Sequence, residues 1–422
     1  MRLTTIAGVA LCSLVLAACD SVENPASPET QTVRLHLAGA LNITMTDLGT
    51  LGGNLSSATA INRWGTVVGY SRTATGATHA FRWDAGVMQD LTPATGTFSD
   101  GLFSRAVDIN DVGQIVGTAR LSGAGECEQF GPISNGCRAF RSDGTTMQDL
   151  GTLGGDFSAG VAINELGHVL GFSTTVTGAT HAFYWDGATM WDVGTLGGDR
   201  SFPRDLNDRG RVVGQSTTAS GETHAFVWNY QTKVIRDLGT LGGSRSGATA
   251  INNRGEIAGA AYTSDEKPHA FSWDGWTMKD LGTIDGGEES AALAINRWGD
   301  VVGFANSRPG GIGDPHPFIW NASHGLRDLG TLGGTDGQAN AINNLTEVVG
   351  HAALNGNSCT AVSDCHAFFW DGVMHDLGTL VPPGPGVRDQ STAVDLNMRG
   401  EVVGVSLTSD EHTHAVLWKV RY

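Results

Sequence analysis

An internal repeat constrains this chain more than any other feature of its 422 residues. The tripeptide Ala-Ile-Asn, or a close variant of it, recurs at intervals of 43 to 54 residues. Aligned on the asparagine, the units are centred on eight positions: Asn62, Asn110, Asn164, Asn207, Asn252, Asn296, Asn343 and Asn397. A unit of this length cannot bury a core alone. The pattern therefore predicts an array of stacked supersecondary units.

Each unit has the pattern of four short β-strands. In one unit the order is Asp237-Leu-Gly-Thr-Leu-Gly-Gly, Ala-Ile-Asn252, Gly-Glu-Ile-Ala-Gly259 and His269-Ala-Phe-Ser-Trp, followed by Met278. The turn Asn-x-x-Gly joins strands one and two. A two-residue turn, usually Asp-Gly, joins strands three and four, and we expect positive φ at both of its residues. Four antiparallel strands in about 45 residues match one blade of a β-propeller.

The last unit of the repeat region lacks one strand, and the start of the region carries one strand too many. The last unit stops four residues after Trp418, without a fourth strand. The region begins with an unpartnered segment, Ile43-Thr-Met-Thr-Asp47, which has the sequence of that missing strand. We therefore predict an all-β chain whose residues 34–422 form an eight-bladed propeller of four-stranded blades. The N-terminal strand would complete the last blade, because an open array would expose unpaired strand edges.

The repeat resembles the bacterial HAF extracellular repeat family, which is named after its His-Ala-Phe tripeptide. The resemblance extends from Asp47 to Trp418 and recurs in nearly every unit. It implies export and repetition, and it implies no particular activity.

Residues 1–18 have the pattern of a secretory signal peptide. Arg2 precedes an apolar stretch, and Leu16-Ala17-Ala18-Cys19 follows it. These four residues resemble the lipobox of bacterial lipoproteins, which implies that Cys19 is acylated and becomes the new N-terminus. Residues 19–33 would then be the lipidated cysteine and a flexible tether. We expect a cell-envelope lipoprotein, in the periplasm or at the cell surface, that contacts the membrane through this lipid only.

The cysteines agree with an oxidising compartment. Cys12 is removed with the signal peptide, and the four that follow Cys19 form two local couples. The simplest interpretation is two disulfides that each close a loop, Cys127–Cys137 and Cys359–Cys365. A metal site shared by all four thiols is the alternative, although five repeats separate the couples.

Loop lengths vary on one side of the predicted blades. The turn after the repeat asparagine keeps its length in every unit, whereas the connection between blades and the loop between strands two and three vary. Both variable segments emerge on the same face of a four-stranded blade, which we call the variable-loop face; the opposite face is the turn face. Both cysteine couples and the run 382–385 lie in these segments. Binding sites commonly lie on variable loops held by a rigid scaffold, so we expect a ligand there.

Seven units keep the histidine of the tripeptide: His79, His181, His224, His269, His316, His366 and His414. Alternate residues share one face of a strand, so this histidine points the same way as the Phe and Trp of its strand. We interpret the Phe and Trp as packing between blades, and the histidine as structural, hydrogen-bonded to a neighbouring loop or strand backbone. A metal or ligand role is the alternative, but equivalent histidines in adjacent blades are too far apart to share one ion.

Other recurring residues also have structural and functional interpretations. Trp64, Trp191, Trp276 and Trp298 lie beside the short turns, where exposed rings could stack on sugars. The aspartate before each Gly-rich connection is expected to cap the turn, although calcium is an alternative. These positions are Asp47, Asp149, Asp192, Asp237, Asp280, Asp328 and Asp376. The glycines are expected to form turns rather than a phosphate site, since no Lys-Ser/Thr follows them.

Catalysis would require residues that depart from the repeat. The candidates are acids on the predicted binding face: Glu126, Glu128, Asp285, Glu288, Glu289 and Asp314. The sequence contains no hydrolase, metalloprotease or dinucleotide motif, so we assign no catalytic residue, metal or cofactor.

The formal net charge of −17 disfavours a nucleic-acid partner. We therefore expect a non-catalytic binding scaffold whose protein or polysaccharide partner contacts the variable-loop face. The alternative is an extracellular glycan-acting enzyme, a hydrolase or lyase, built on the same propeller. A carboxylate pair drawn from the off-repeat acids would then cleave the glycan.

Overall fold

The computed structural model describes residues 41–422 except 100, 124–126, 128–135, 308–313, 355, 357, 360–364 and 382–388. The predicted signal peptide, Cys19, the tether, Glu126 and Glu128 lie outside the described residues. Within the described residues the chain forms strands and turns. No helix among them is long and apolar enough to cross a membrane.

The strands within the described residues group into eight four-stranded units, numbered here as blades in chain order. Blade 1 comprises β2 (Gly52–Ile61), β3 (Val67–Thr73), β4 (Thr78–Asp84) and β5 (Val87–Asp90), and blade 2 comprises β6 (Ser104–Ile109), β7 (Ile115–Arg120), β8 (Cys137–Ser142) and β9 (Met147–Asp149). Blade 3 comprises β10 (Gly154–Ile163), β11 (Val169–Thr175), β12 (Thr180–Trp185) and β13 (Met190–Gly194), and blade 4 comprises β14 (Gly197–Leu206), β15 (Arg211–Thr218), β16 (Thr223–Asn229) and β17 (Val234–Gly239). Blade 5 comprises β18 (Gly242–Ile251), β19 (Ile257–Thr263), β20 (Pro268–Trp273) and β21 (Met278–Gly282), and blade 6 comprises β22 (Ser290–Ile295), β23 (Val301–Asn306), β24 (Pro315–Asn321) and β25 (Gly325–Asp328). Blade 7 comprises β26 (Gly333–Ile342), β27 (Val348–Leu354), β28 (Cys365–Trp370) and β29 (Met374–Asp376), and blade 8 comprises β30 (Ser391–Leu396), β31 (Glu401–Leu407), β32 (Thr413–Arg421) and β1 (Asn42–Asp47).

Strands pair antiparallel in chain order within blades 1 to 7, and β30, β31 and β32 pair in the same way in blade 8, as in a propeller. The predicted all-β propeller class is confirmed. The first strands of neighbouring blades contact one another, and β30 of the last blade contacts β2 of the first. These strands therefore lie innermost. The first strand of most blades contains a bulge near its end, for example between Pro203 and Asp205 of β14. Such a bulge redirects the side chains that follow it.

The N-terminal strand β1 belongs to the last blade. It pairs antiparallel with β32 over six residue pairs, from Asn42 opposite Arg421 to Asp47 opposite Val416. Ile43 and Met45 pack against the core that blade 8 shares with blade 7. The last blade thus takes its fourth strand from the start of the repeat region.

The repeat asparagines join neighbouring blades. In blade 4, the Asn207 Oδ1 atom accepts hydrogen bonds from the backbone N–H groups of Arg209 and Arg211, which closes the turn. Its Nδ2 atom donates to the backbone oxygen of Asn252 in blade 5, at 3.0 Å. The same bond recurs at each of the eight positions, with Asn397 donating to the Asn62 oxygen at 3.1 Å. All eight asparagines are buried.

The hydrophobic core is divided among the interfaces between blades. Each main cluster contains residues of two neighbouring blades; Phe81 and Trp83 of blade 1, for example, pack with Val403 and Leu417 of blade 8. The repeat tryptophans are at most 8% exposed, which confirms their predicted packing role. These are Trp83, Trp185, Trp228, Trp273, Trp320, Trp370 and Trp418.

Both predicted disulfides are present, Cys127–Cys137 and Cys359–Cys365. Cys137 and Cys365 begin the third strands of blades 2 and 7, directly before the tripeptide position. Each disulfide therefore connects the variable loop to a strand of its own blade. Both bonds close short loops, with sequence separations of 10 and 6 residues.

The expected backbone of the Asp-Gly turns is wrong. Only the glycine has positive φ, as at Gly187 (101°), Gly275 (108°) and Gly372 (118°). The Asp186 carboxylate instead accepts hydrogen bonds from the N–H groups of Ala188 and Thr189. A side-chain acceptor therefore organises the turn, so a mirror-image turn conformation is not needed.

Candidate functional site

The repeat histidines form pairs with the aspartates of the adjacent fourth strands. The Nδ1 atom of each lies 2.6–2.9 Å from the nearer aspartate oxygen. The predicted backbone partner is present at His79, whose Nε2 lies 2.6 Å from the Gly101 oxygen in the neighbouring loop. The aspartate partner at Nδ1 was not predicted, because sequence alternation did not reveal that the fourth strand places its carboxylate beside the ring. The pairs are His79–Asp90, His181–Asp192, His224–Asp237, His269–Asp280, His316–Asp328, His366–Asp376 and His414–Asp47.

The same aspartates organise the connection to the next blade. In each one, the Oδ1 atom accepts a hydrogen bond from the backbone N–H of the residue two positions later. The Gly239 N–H, for example, donates to Asp237 Oδ1 at 2.7 Å. This contact confirms the predicted turn capping, and it recurs at all the predicted positions and at Asp90.

Burial alone would lower the pKa of His366, but Asp376 and Asp389 raise it above its ordinary value. Within the described residues, no three His, Cys, Asp or Glu side chains are grouped to hold a metal ion.

Three carboxylates lie between the innermost strands, two residues before a repeat asparagine. Asp395 accepts the N–H groups of Leu396 and of Ile61 in the neighbouring blade. Asp108 and Asp205 make equivalent contacts. Each residue keeps some exposure, yet its carboxylate is enclosed by protein. Burial raises the pKa of Asp108 to about 6 and those of Asp205 and Asp395 to about 7, against the lowering effect of the two N–H donors.

Substituting Asp395 by Asn tests this enclosed acid. A carboxyl whose folded-state pKa is raised costs stability as pH rises from the unfolded value near 4 to the folded value of about 7. The cost for one such group is about 1.4 kcal/mol per pH unit. We expect the melting temperature of D395N to rise relative to that of the natural chain between pH 4 and pH 7. Thermal unfolding followed by circular dichroism measures this difference.

The control for this experiment is Asp84→Asn, since Asp84 is exposed. The raised pKa of His366 also makes the natural chain less stable as pH rises above the ordinary histidine value, so the comparison uses the difference between variant and parent. A difference for D395N that stays constant from pH 4 to pH 8 would contradict the assignment.

The four predicted off-repeat acids that the structure describes show no arrangement as a catalytic pair. Glu288 forms an ion pair with Lys267 at 2.9 Å, and Glu289 and Asp285 are exposed in the connection between blades 5 and 6. Asp314 precedes β24 with a φ of 64°. Since Glu126 and Glu128 lie outside the described residues, the predicted set is described only in part.

A pocket of about 640 Å³ is lined mainly by blades 4 and 5, and it reaches from Thr223 and Arg245, at the variable-loop end of the strands, to Arg204 and Thr249, near their turn end. Its wall includes Arg204 of β14, Arg245 of β18, Gln215 of β15 and Tyr262 of β19. We call it the arginine pocket. Both arginines are exposed, and neither guanidinium makes a hydrogen bond or ion pair with a described residue. Two unpaired cations at one pocket favour an anionic ligand group.

The pocket opens because two facing positions carry side chains that leave space between the blades. Between blades 3 and 4 these positions hold Phe172 and Phe202, whose rings lie 5.9 Å apart. Between blades 1 and 2, the Arg105 guanidinium lies over the Tyr70 ring at 4.0 Å. Between blades 4 and 5 they hold Gln215 and Gly247. A Cβ atom on Gly247 would lie only 3.1 Å from the Gln215 Oε1 atom.

Sequence reasoning missed Arg204 and Arg245. Arg204 lies three residues before the repeat asparagine, where the other units carry Thr, Val, Leu or Asn. An alignment of the units shows it as the only charged residue at that position. Arg245 gives no comparable signal, because Arg200, Glu289 and Asp336 occupy the same position elsewhere.

A second cavity, of about 440 Å³, lies on the turn face and is lined by residues of all eight blades. Its rim consists of the residues that follow the repeat asparagines. Several of these side chains accept the N–H of the equivalent residue in the preceding blade, as Asp208 does from Glu165 at 3.0 Å. Since their carboxylates and amides are used between blades, this rim is mainly structural.

Comparison with known proteins shows similarity of fold. No protein-family model and no curated protein matches the chain. Among solved structures, the β-propeller domain of the Trilobed protease from Pyrococcus furiosus matches with a TM-score of 0.47 and 10% identity, over 76% of this chain and 97% of that one. A puromycin-hydrolyzing peptidase from Mycobacterium tuberculosis matches with a TM-score of 0.47 and 13% identity, over 85% and 57%. TolB from Acinetobacter baumannii matches with a TM-score of 0.36 and 13% identity, over 84% and 80%. These similarities concern the propeller scaffold alone.

Proposed function

We propose that this protein is a non-catalytic binding scaffold of the cell envelope, anchored through Cys19, whose ligand presents an anionic group to the arginine pocket. The observation that carries the proposal is the pair of exposed arginines that line one pocket and have no hydrogen-bond or ion-pair partner among the described residues. In a chain with a net charge of −17, two such cations at one pocket favour ligand recognition over internal ion pairing.

The shape of the pocket supports the same function. Its volume of about 640 Å³ lies within the range of small-ligand sites. Gln215, Thr223 and Thr249 add neutral polar groups to the wall beside the arginines. One end of the pocket, at Thr223 and Arg245, lies beside the variable loops, so a polymeric ligand held there would extend across them.

The alternative, a glycan-acting enzyme, requires two carboxylates at either side of the bond to be broken. The acids that would supply them are engaged or dispersed in the described part of the chain, as Glu288 is by Lys267. Binding without turnover therefore accounts for more of the observed arrangement.

Replacing Arg204 and Arg245 with Gln tests the proposal. The probes are a polyuronate, sodium polygalacturonate, and an extract of the host's envelope. We expect saturable binding by the natural chain, weakened by salt, and a loss of affinity of about tenfold or more in R204Q/R245Q, because each guanidinium would supply a charge-assisted hydrogen bond. Calorimetry or surface-based binding measurements provide the affinities.

The matched control is R72Q/R209Q, which removes the same charge from exposed positions outside the pocket. Its affinity is expected to equal that of the natural chain. Binding that persists in the pocket variant, or the absence of saturable binding to both probes, would refute the proposal. Capture of an acidic protein from the extract, lost in R204Q/R245Q, would identify the ligand as a protein rather than a polysaccharide.

A further inference from the structure

A groove of about 610 Å³ lies between blades 5 and 6 on the turn face, away from the arginine pocket. Trp298 of the turn after β22 lines it with a partly exposed indole, and the wall also includes the repeat tryptophans Trp273 of β20 and Trp320 of β24, which are 4% and 8% exposed. Small residues, Ser272 and Ala322, complete the wall. We call it the tryptophan groove.

The equivalent groove between blades 3 and 4 is filled by the protein's own side chains. Tyr184 and Tyr230 occupy it, with ring centroids 4.8 Å apart. The Lys233 ammonium lies 3.4 Å from the centre of the Tyr230 ring and 3.7 Å from that of Trp191. Aligned on the repeat, Tyr184 corresponds to Ser272 and Tyr230 to Ala322. The tryptophan groove is therefore open because two ring-bearing residues are replaced by small ones.

The filled groove also shows which polar contact an occupant makes. The Tyr230 hydroxyl donates a hydrogen bond to Asp186 Oδ2 at 2.9 Å. The corresponding residue beside the tryptophan groove is Asp274. Its Oδ1 accepts the N–H groups of Trp276 and Thr277, while its Oδ2 has no hydrogen-bond partner among the residues that the structure describes. An occupant with a hydroxyl would satisfy the same acceptor.

The charges around the groove balance. Arg254 and Glu256 form an ion pair at 3.3 Å, and Lys279 and Asp274 add one charge of each sign. The Lys279 ammonium already lies over the Trp320 ring at 4.8 Å. A balanced rim favours a neutral ligand over an anion or a cation. Its several donors and acceptors favour a ligand with hydroxyl groups all around its edge.

We infer that the tryptophan groove binds a pyranose ring of a neutral glycan. The C–H face of the ring would pack on the partly exposed Trp298 indole, and a hydroxyl would donate to Asp274 Oδ2 as the Tyr230 phenol does to Asp186. A phenol would satisfy one polar group of the rim and leave the others unused, whereas a pyranose carries several hydroxyls. The groove and the arginine pocket share no lining residue, so the inference does not depend on the proposed function.

The test measures binding of cellotriose, maltotriose, N,N′,N″-triacetylchitotriose and p-cresol to the purified chain by ligand-observed NMR and calorimetry. We expect saturable binding of at least one trisaccharide. We expect a loss of affinity of about tenfold or more in Ala322→Tyr, which fills the groove with the side chain found at the equivalent position of blade 4. Trp298→Ala is expected to weaken the same binding.

Trp64→Ala is the matched control. Trp64 holds the same place after the repeat asparagine of blade 1 that Trp298 holds in blade 6. Both indole N–H groups donate to the backbone of the next blade. The affinity of the W64A variant for the trisaccharide is expected to equal that of the natural chain. The inference is overturned if no trisaccharide binds, if p-cresol binds in preference to all three, or if A322Y keeps full affinity while its circular dichroism spectrum shows an intact fold.

Discussion

Replacing Asn207 with alanine is expected to lower the free energy of unfolding by about 3 kcal/mol or more, since the substitution leaves several buried polar groups without partners. The backbone N–H groups of Arg209 and Arg211 lose their acceptor, and the Asn252 oxygen loses a donor. The side chain is only 4% exposed, so water reaches these groups poorly. The effect combines a broken turn within blade 4 with a broken contact to blade 5.

Chemical denaturation followed by tryptophan fluorescence checks this prediction. The control is Asn54→Ala, because Asn54 is exposed and its side chain makes no hydrogen bond with a described residue. An N207A variant as stable as N54A would show that the asparagine contacts contribute little. A loss confined to Asn207 would identify the repeat asparagine as the residue that sets both the turn and the spacing between blades.

Replacing Ile43 and Met45 together with aspartate is expected to have a still larger effect. Both side chains pack against the core shared by blades 7 and 8. Full burial of a side chain of this type contributes about 1.5–3 kcal/mol, of which these partly buried side chains contribute a part, and placing two charges there adds an opposing cost. We expect β1 to detach from β32, which would expose an unpaired edge in the last blade and cause aggregation.

Size-exclusion chromatography with light scattering, together with thermal unfolding, measures this outcome. The control is Asn42→Asp/Thr44→Asp, which places two charges on the exposed side of the same strand. If I43D/M45D remains monomeric with the melting temperature of that control, β1 is not required to complete the last blade. The contrast between the two faces of one strand separates loss of packing from a general effect of charge.

Much of the fold was predictable because a blade is built from local contacts that every unit repeats. Alternating residues correctly placed Phe81 and Trp83 in the core. The fixed Asn-x-x-Gly turn appears as the Asn207 contacts to Arg209 and Arg211. The cysteine couples could be paired because each lies within a single loop.

The contacts between particular side chains within a blade were harder to predict from the sequence. The Asp-Gly turns were expected to have positive φ at both residues, but a carboxylate acceptor changes the local balance at Asp186. The partner of His224 was sought in the backbone, while the structure places it against Asp237, 13 residues later. Sequence spacing shows that two residues share a blade, but the pairing register decides which side chains touch.

The sequence by itself determined the class of the fold, the strand content of each blade, the two disulfides and the repeated core. Only the tertiary structure decided where open space remains. The arginine pocket depends on Gln215 facing Gly247, and the tryptophan groove depends on Ser272 and Ala322 standing where blades 3 and 4 hold Tyr184 and Tyr230. A cavity between blades is set by the combined volume of side chains from two different units. No single repeat contains that information, so these sites appear only when neighbouring units are packed together.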